Sequence, residues 1–357
     1  MIILTILVFI FVLGLLVFVH ELGHFIAAKR AGIKVEEFAF GFPPAIFKKK
    51  IGETTYAINL IPLGGYVKLY GEDGGNQDKK NSFAHKTVGQ RFWVIFAGVL
   101  MNFILAWFLY AVGFNFGLPT TTLQPDQISG KVEQQVIITQ VKDGSVAKKA
   151  GLEMGDTVIS INNQKIENAN QLAEITKSNV GKNIDIIIRK YGKNYSYNIK
   201  LSSDSDAPLG IGMVESTKVK TGFFRSIWYG LRETINTCWL IILAVVGIIK
   251  AVFTPATVSE AVTGPIGIWF YFQTALKLGW IYIAQLTALI SANFAIINFF
   301  PFPALDGGRF VFLGIEFFRK KKTNPKIEAI IHSVGFGILI LLMVLVAYRD
   351  IVKNLLK

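Results

Sequence analysis

The chain has 357 residues, of which 52% are hydrophobic, and a formal net charge of +13. Its positive mean hydropathy is typical of a membrane protein with room for one soluble module. Because the basic residues flank apolar segments, the positive-inside rule accounts for them and nucleic-acid binding does not. A single cysteine, Cys238, excludes an internal disulfide framework and a zinc–thiolate site.

The first predicted element is a membrane-spanning helix over residues 1–28. Its apolar run, Ile2–Val19, carries no charge and leads directly into an HExxH motif. On a helix His20 and His24 share one face, so both can bind one Zn²⁺ while Glu21 activates the attacking water. Ionisable residues are costly inside a membrane and mark functional sites there. The run lacks a basic start and a cleavage site, so we expect a retained helix rather than a signal peptide.

Residues 29–91 are predicted to form a cytoplasmic loop, because Lys and Arg outnumber Asp and Glu there. Alternating residues in Thr55–Leu60 and Ile61–Leu69, together with glycine turns, predict a β-hairpin in this loop. Two placements remain open at this point. The strands dip towards the membrane, or they form an ordinary surface hairpin.

Residues 92–115 are the second predicted span. After it, residues 126–215 are mixed polar with short Ile/Val strands. Within them, Gly144–Asn162 resembles a PDZ domain, in which a short helix ends at A-G-L and G-D-x-V-x-x-I-N follows. A second helix at about 170–179 and strands at 184–189 and 195–201 would complete one α+β module. The resemblance implies that this module binds an extended peptide or protein tail at a sheet edge.

The C-terminal part holds two further clear spans, within residues 278–308 and 329–348. The stretch 235–253 is also apolar, but it contains Lys250 and is followed by a proline. We expect residues 216–277 to form amphipathic, non-spanning helices on the outer side. A crossing by 235–253 would reverse the next span and place its end on the side opposite to HExxH.

Asp306 lies at the end of the 278–308 segment, among apolar residues and glycines. An unpaired carboxylate at that depth would be unfavourable, and a metal ion would supply the missing positive charge. A catalytic Zn²⁺ usually has three protein ligands, so Asp306 is the candidate for the third.

The two motifs together resemble the site-2 protease family. HExxH lies in the first span and N-x-x-P-x-P-x-L-D-G-G ends a later one, at Asn298–Gly308. With its inserted PDZ domain, the chain resembles the bacterial intramembrane metalloproteases that cleave anti-sigma factors, although it has one PDZ domain and not two. The resemblance implies a zinc site with these residues: ligands His20, His24 and Asp306, and general base Glu21.

The resemblance also implies where the substrate binds. Asn298 matches the family position that contacts the substrate or its reacting carbonyl. A membrane-associated β region would pair with the unwound substrate segment through Gly64, Gly65 and Tyr66.

The implied fold class is an α-helical polytopic membrane protein with four transmembrane helices, a membrane-associated β region and one inserted PDZ domain. The implied function is an intramembrane zinc endopeptidase of the bacterial inner membrane, acting on single-span membrane proteins. Its PDZ domain would lie on the outer side, with the active site near the cytoplasmic side. The alternative is a non-catalytic PDZ-containing membrane adaptor, which would have no need of Glu21 beside a metal.

Overall fold

The computed structural model describes residues 2–120, 122–123, 128–190, 192–203, 207–253 and 265–355. The chain divides into two compact units. The first comprises Met1–Ala106, Cys238–Trp269 and Thr287–Lys357, and the second comprises Trp107–Thr237 and Phe270–Leu286.

The N-terminal half of the first unit is a helix, a hairpin and a second helix. Helix α1 (Ile2–Arg30) is followed by the antiparallel strands β1 (Val35–Ile51) and β2 (Thr54–Leu69), and then by helix α2 (Val88–Phe116). The apolar run of α1 contains no proline, so nothing interrupts the helix before its basic last turn.

The hairpin is longer than the alternating stretches that predicted it. Near its turn it carries a group of exposed large apolar side chains on both strands: Phe42, Ile46, Phe47, Ile51, Ile58, Leu60 and Ile61. An exposed apolar patch of this kind is typical of a membrane or protein contact. The membrane-associated placement of the hairpin stays a prediction.

The second unit is built on an antiparallel sheet with two short helices. Its elements in chain order are β3 (Leu118–Thr120), β4 (Lys131–Val141), α3 (Val146–Lys149), β5 (Thr157–Ile161), β6 (Gln164–Lys165), α4 (Ala169–Ser178), β7 (Asn183–Lys190), β8 (Lys193–Lys200) and β9 (Ile211–Lys220). The strand order is β3-β9-β4-β5-β7-β8, and β6 pairs with β5.

The apolar core of this unit follows from the period of two along each strand. Buried members include Val136 and Ile138 of β4, Val158 of β5, and Ile186 and Ile188 of β7. The side chains between them point to the opposite face of the sheet. That alternation separates an apolar face, covered by α3 and α4, from a polar face.

The limits of the sheet differ from those of the predicted PDZ segment at 126–215. Strand β3 begins at Leu118 and pairs with β9, which continues to Lys220. Residues 216–220, placed in the outer-side helices, are therefore strand, because they pair with Lys131–Gln135 of β4. Residues 1, 126–127, 191, 204–206 and 254–264 of the predicted segments lie outside the described residues.

The C-terminal helices are α5 (Phe223–Phe253), α6 (Pro265–Leu278), α7 (Trp280–Phe299), α8 (Asp306–Arg319) and α9 (Pro325–Leu355). Within the described residues, five helices are long and apolar enough to span a membrane, by length and composition only: α1, α2, α7, α9 and the Phe223–Lys250 part of α5. The fifth contains the segment 235–253. Four spans are thus not confirmed as the number, and the expectation that α5 does not cross stays a prediction.

The predicted segment 278–308, with its span at about 278–300, contains helix α7 and the start of a second helix. Helix α7 ends at Phe299, and α8 begins at Asp306. Pro301 and Pro303 lie between them and cannot donate helical backbone hydrogen bonds. Asp306 is consequently the first residue of a new helix, where the positive end of the helix dipole favours a carboxylate.

We predict that Val136→Ala destabilises the second unit by about 2 kcal/mol, because it removes two buried methyl groups and leaves a cavity. Val136 is fully buried, whereas Val214, on β9, is 48% exposed. Val214→Ala is the matched control and should change stability by less than about 0.5 kcal/mol. Thermal unfolding of both full-length variants in detergent checks this, and equal midpoints would contradict the assignment of the core.

Candidate metal centre

Helices α1 and α2 approach each other closely enough for backbone contact. A Cβ atom on Gly23 would collide with the backbone carbonyl of Ala97, and one on Gly98 would collide with the rings of His24 and His20. Small residues permit this kind of approach between membrane helices. The glycine inside HExxH therefore has a packing role, which is to bring both imidazoles against α2.

The two imidazoles are oriented by residues of α2 that share one face. The ring centroids of His20 and His24 are 4.7 Å apart. Nδ1 of His24 lies 2.9 Å from the carbonyl oxygen of Val94, and Nδ1 of His20 lies 3.3 Å from the amide of Asn102. Because a carbonyl only accepts, Nδ1 of His24 carries the proton. Nε2 of neutral His24 is then a lone pair directed at the site.

Asp306 is brought to the histidines by a tightly folded loop. A Cβ on Gly307 would collide with the carbonyl group of Phe300, and one on Gly308 with that of Phe302. The two glycines thus let the loop 300–305 fold back over the start of α8. This packing explains why the sequence at Asp306 reads Asp-Gly-Gly.

Two ion pairs hold α8 in place, of which Arg91–Glu316 is buried and Arg309–Glu72 is partly exposed. Arg309 pairs with Glu72, which follows β2, and Arg91 of α2 pairs with Glu316. The Glu72 carboxylate raises the pKa of the Arg309 guanidinium, so the pair stays charged. Breaking a buried pair leaves an uncompensated charge, which costs about 3–5 kcal/mol. The position of Asp306 is therefore tied to both the hairpin and α2.

A third contact to this loop comes from α9. Nδ1 of His332 accepts a hydrogen bond of 3.0 Å from the backbone N–H of Ala304. Ala304 has a φ of 78°, a left-handed conformation that a non-glycine residue rarely adopts. The hydrogen bond helps to hold the chain in this conformation, two residues before Asp306.

The three candidate ligand atoms form a nearly equilateral triangle. Nε2 of His20 and of His24 are 3.1 Å apart, and Oδ2 of Asp306 lies 3.1 and 3.3 Å from them. Tetrahedral coordination with bonds of about 2.0–2.1 Å places ligand atoms roughly 3.3 Å apart. Among the described residues, Oδ2 is buried without a directional hydrogen bond. The donors therefore fit a divalent cation such as zinc.

The Asn102 side chain gives a second indication of a cation at this site. Its Oδ1 is buried without a hydrogen-bond partner within the described structure, while its Nδ2 faces Nδ1 of His20. A half-turn of the Asn102 amide lets its Oδ1 accept a hydrogen bond from Nδ1–H of His20. Oδ1 of Asn102 and Nδ1 of His20 then each have a partner. Nε2 of His20 is then a lone pair like that of His24. Two lone pairs and a carboxylate oxygen that face one another require a shared positive charge.

Glu21 lies beside this cluster and next to the hairpin. A Cβ built on Gly65 of β2 would lie 3.4 Å from Cγ of Glu21. The strand backbone at Gly65 thus lies beside the candidate general base, and its pairing with a substrate stays a prediction. Gly64 and Tyr66 point to the other face of the strand: Gly64 packs on the ring of Phe42, and the Tyr66 hydroxyl donates to Glu37.

Asn298 is not brought into hydrogen-bonding contact with the metal ligands in the described structure. It is partly buried in the last turn of α7, eight residues before Asp306. Its role toward a substrate stays a prediction.

The sequence analysis missed three residues of the site: Gly98, Asn102 and His332. The signal for the first two was available. Val94, Gly98 and Asn102 recur every four residues on one face of α2, and a polar side chain inside a span is by default functional. No local signal connects His332 to Ala304, because that contact depends on how α9 packs.

Comparisons with known proteins agree over nearly the whole chain. The family profile "Peptidase family M50" matches residues 8–342. A protein of Fusobacterium nucleatum is 32% identical over 98% of this chain and 99% of its own length. The "Regulator of sigma-W protease RasP" of Bacillus subtilis is 29% identical over 97% of this chain and 98% of its own. The "Zinc metalloprotease RasP" of Oceanobacillus iheyensis is 28% identical over 97% and 98%.

We predict that Gly98→Ala lowers zinc affinity at least tenfold, because the new methyl group displaces the rings of His20 and His24. Gly247→Ala is the matched control, since a Cβ at that helical glycine meets no atom within 4 Å. Zinc content of both purified variants, measured at buffered free zinc, checks this. Full zinc occupancy in Gly98→Ala would contradict the close approach of α1 and α2.

We also predict that Asn102→Leu lowers zinc affinity by about 10- to 100-fold, the usual effect of losing a group that orients a ligand. Asn293→Leu serves as control, because Asn293 bonds only to a carbonyl of its own helix. Competition with a zinc-binding dye measures both. An unchanged affinity in Asn102→Leu would show that Asn102 does not orient His20.

Proposed function

The chain belongs to peptidase family M50, and on this premise we propose that it is an intramembrane zinc endopeptidase. The membership confirms the resemblance to the site-2 protease family stated from the motifs. Curated relatives of nearly full length are named zinc metalloproteases, which supports zinc as the metal. We propose that the chain hydrolyses peptide bonds within transmembrane segments of single-span membrane proteins.

One observation carries the proposal. His20 and His24 of α1, an apolar helix of 29 residues, meet Asp306 with their ligand atoms within 4.8 Å of one another. Glu21 lies in the same helix turn, beside the backbone of β2. A membrane adaptor would need neither the metal site nor a carboxylate next to it.

The residues of the site divide the chemistry between them. Zinc, when bound by His20, His24 and Asp306, supplies Lewis-acid polarisation of the scissile carbonyl and stabilises the charge that develops on its oxygen. A carboxylate oxygen of Glu21 takes a proton from the attacking water and later gives it to the leaving amine. The apolar surroundings of α1 keep bulk water from competing for these groups.

A substrate helix must unwind before it can be cleaved, because its carbonyls are hydrogen-bonded and shielded. An enzyme strand that pairs with the unwound segment replaces the lost backbone hydrogen bonds. Strand β2 is suited to this role, since Gly65 brings its backbone against Glu21. A side chain at position 65 would stand between the strand and the general base.

The substrates we propose are membrane proteins that another protease has already shortened. A relative in Bacillus subtilis is named as a regulator of sigma-W, which supports pre-cleaved anti-sigma factors as one class. Remnants of signal peptides are a second class with the same chemistry. The PDZ-like unit would hold a peptide or protein tail, and so restrain substrates that retain their outer domain.

We further propose that the chain resides in the bacterial inner membrane. Basic loops at 29–91 and 309–326 would lie in the cytoplasm, which places the ends of α1 and α7 near the inner surface. The sheet of the second unit would then be on the outer side.

We predict that Glu21→Gln abolishes cleavage while leaving zinc and substrate bound, because glutamine cannot accept the proton. Loss of a general base typically costs 10²- to 10⁴-fold in rate. The measurement is cleavage of a tagged single-span substrate that lacks its outer domain, by both proteins in proteoliposomes. Glu174→Gln, the same change at an exposed position of α4, is the control and should cleave normally.

A zinc chelator should also stop the wild-type protein, and added zinc should restore it. Continued cleavage by Glu21→Gln would refute the proposed role of Glu21. If neither protein cleaves any of a panel of substrates while zinc remains bound, the adaptor function would replace the peptidase.

A further inference from the structure

The polar face of the sheet in the second unit is cationic. Lys131 of β4 lies opposite Lys220 of β9, and on the same face Glu133 lies opposite Lys218. Thr157 of β5 and Arg189 of β7 are cross-strand partners. Arg189 therefore lies on the same face of the sheet, one strand further along. Like charges directly opposite each other destabilise a sheet. The Lys131–Lys220 pair therefore contributes nothing to folding by itself.

A cavity of about 490 Å³ lies between this face and the junction of α6 and α7. Its charged and polar lining comes from both sides: Gln135, Arg189, Asn194, Lys218, Lys277 and Tyr282. Among the described residues that line it there is no carboxylate. A second cavity, of about 460 Å³, shares Lys218 and Leu278 with the first and adds the charged residues Lys131, Lys220 and Glu133.

Among the described residues, two cations of the first cavity form no ion pair, although Glu133 lies across the strand from Lys218. Lys277 pairs with Glu153 at 2.8 Å. Nε of Arg189 donates to Asn194 at 3.1 Å, and Nζ of Lys218 lies 5.1 Å from the centre of the Tyr282 ring. Neither makes an ion pair with a described carboxylate. Burial lowers the pKa of the Lys218 ammonium, which is the sign of a charge held partly out of water without full compensation.

The cavities lie where two candidate spans begin and end. Helix α2 ends at Phe116, and α7 begins at Trp280, which is 57% exposed. The two rings are in edge contact, with centroids 5.3 Å apart. Exposed aromatic residues at the ends of spans mark the level of the lipid headgroups. The uncompensated cations are therefore at the depth of the lipid phosphates.

We propose that this cavity binds the phosphate of an anionic phospholipid headgroup, with Arg189 and Lys218 as its cationic partners. A guanidinium offers a planar fork and an ammonium a point charge, and both suit a phosphodiester. Leu278, Trp280 and Ile281 line the adjoining cavity and give the acyl chains an apolar surface. This surface favours a lipid over free phosphate as the source of the anion.

The site would serve a purpose distinct from proteolysis. Arg189 and Lys218 belong to the sheet, whereas Lys277 and Tyr282 belong to the helices. A phosphate held between them would fasten the sheet to the start of α7 at the membrane surface. Binding needs none of the metal-centre residues, so it can be tested with the protease inactive.

The test is native mass spectrometry of the full-length protein, offered phosphatidylglycerol or phosphatidylcholine in detergent. Wild type should retain phosphatidylglycerol preferentially. The double variant Arg189→Gln, Lys218→Gln should bind it about 30-fold more weakly, at roughly fivefold per cation removed. The control Lys182→Gln, Lys200→Gln removes two exposed charges outside the cavity and should bind like wild type.

Three outcomes would overturn the proposal. These are equal retention of the two lipids by wild type, undiminished phosphatidylglycerol binding by the charge-removing variant, and displacement of the lipid by millimolar inorganic phosphate, which would make the cavity a site for soluble anions. If the charge-removing variant fails to fold, the charge-retaining Arg189→Lys, Lys218→Arg replaces it. Its retention of phosphatidylglycerol within a few-fold of wild type supports the proposal, and loss of the preference refutes it.

Discussion

The contact between the backbones of α1 and α2 is the constraint on which the metal centre depends. Only glycine fits at 23 and 98, and the helices meet there at the turn that carries both histidines. That contact lets Val94 and Asn102 reach the outer ring nitrogens, so the inner ones face one another. Membrane helices lack a hydrophobic force that drives them together. Close steric fit therefore holds these helices together, as core burial does in a soluble protein.

The carboxylate is positioned by a different kind of force. Asp306 belongs to a short helix that carries a partly exposed ion pair to Glu72 and a buried one to Arg91, each of which fixes one side of α8. Such ion pairs contribute little net stability, since desolvation offsets the Coulomb attraction. They do fix the position of the helix that carries them. Packing thus positions the nitrogen ligands, and charge positions the oxygen ligand.

The sequence singled out His20, His24 and Asp306, which the structure brings together, and their roles stay predictions. It located the element boundaries less well. HExxH in an apolar run and the isolated Asp306 are strong signals, because charged groups at that depth need a reason. The end of the span near residue 300 was predicted, whereas the short helix that begins at Asp306 was not. The extension of β9 to Lys220 and the contact of His332 with Ala304 are tertiary effects. They depend on partners more than 25 residues away in the chain, which no local pattern records.

Among the described residues, helix α9 is the least buried of the candidate spans, with 6% of its most apolar stretch buried. Yet it contacts the ligand-bearing loop twice. His332 holds the backbone of Ala304, and Gly335 leaves room for Pro303 to lie against the helix. A sideways displacement of α9 therefore also displaces Pro303 and Ala304, which precede Asp306. The least buried helix is therefore mechanically linked to the three candidate ligand atoms. Opening of the site on the side of α9 and correct placement of Asp306 cannot vary independently.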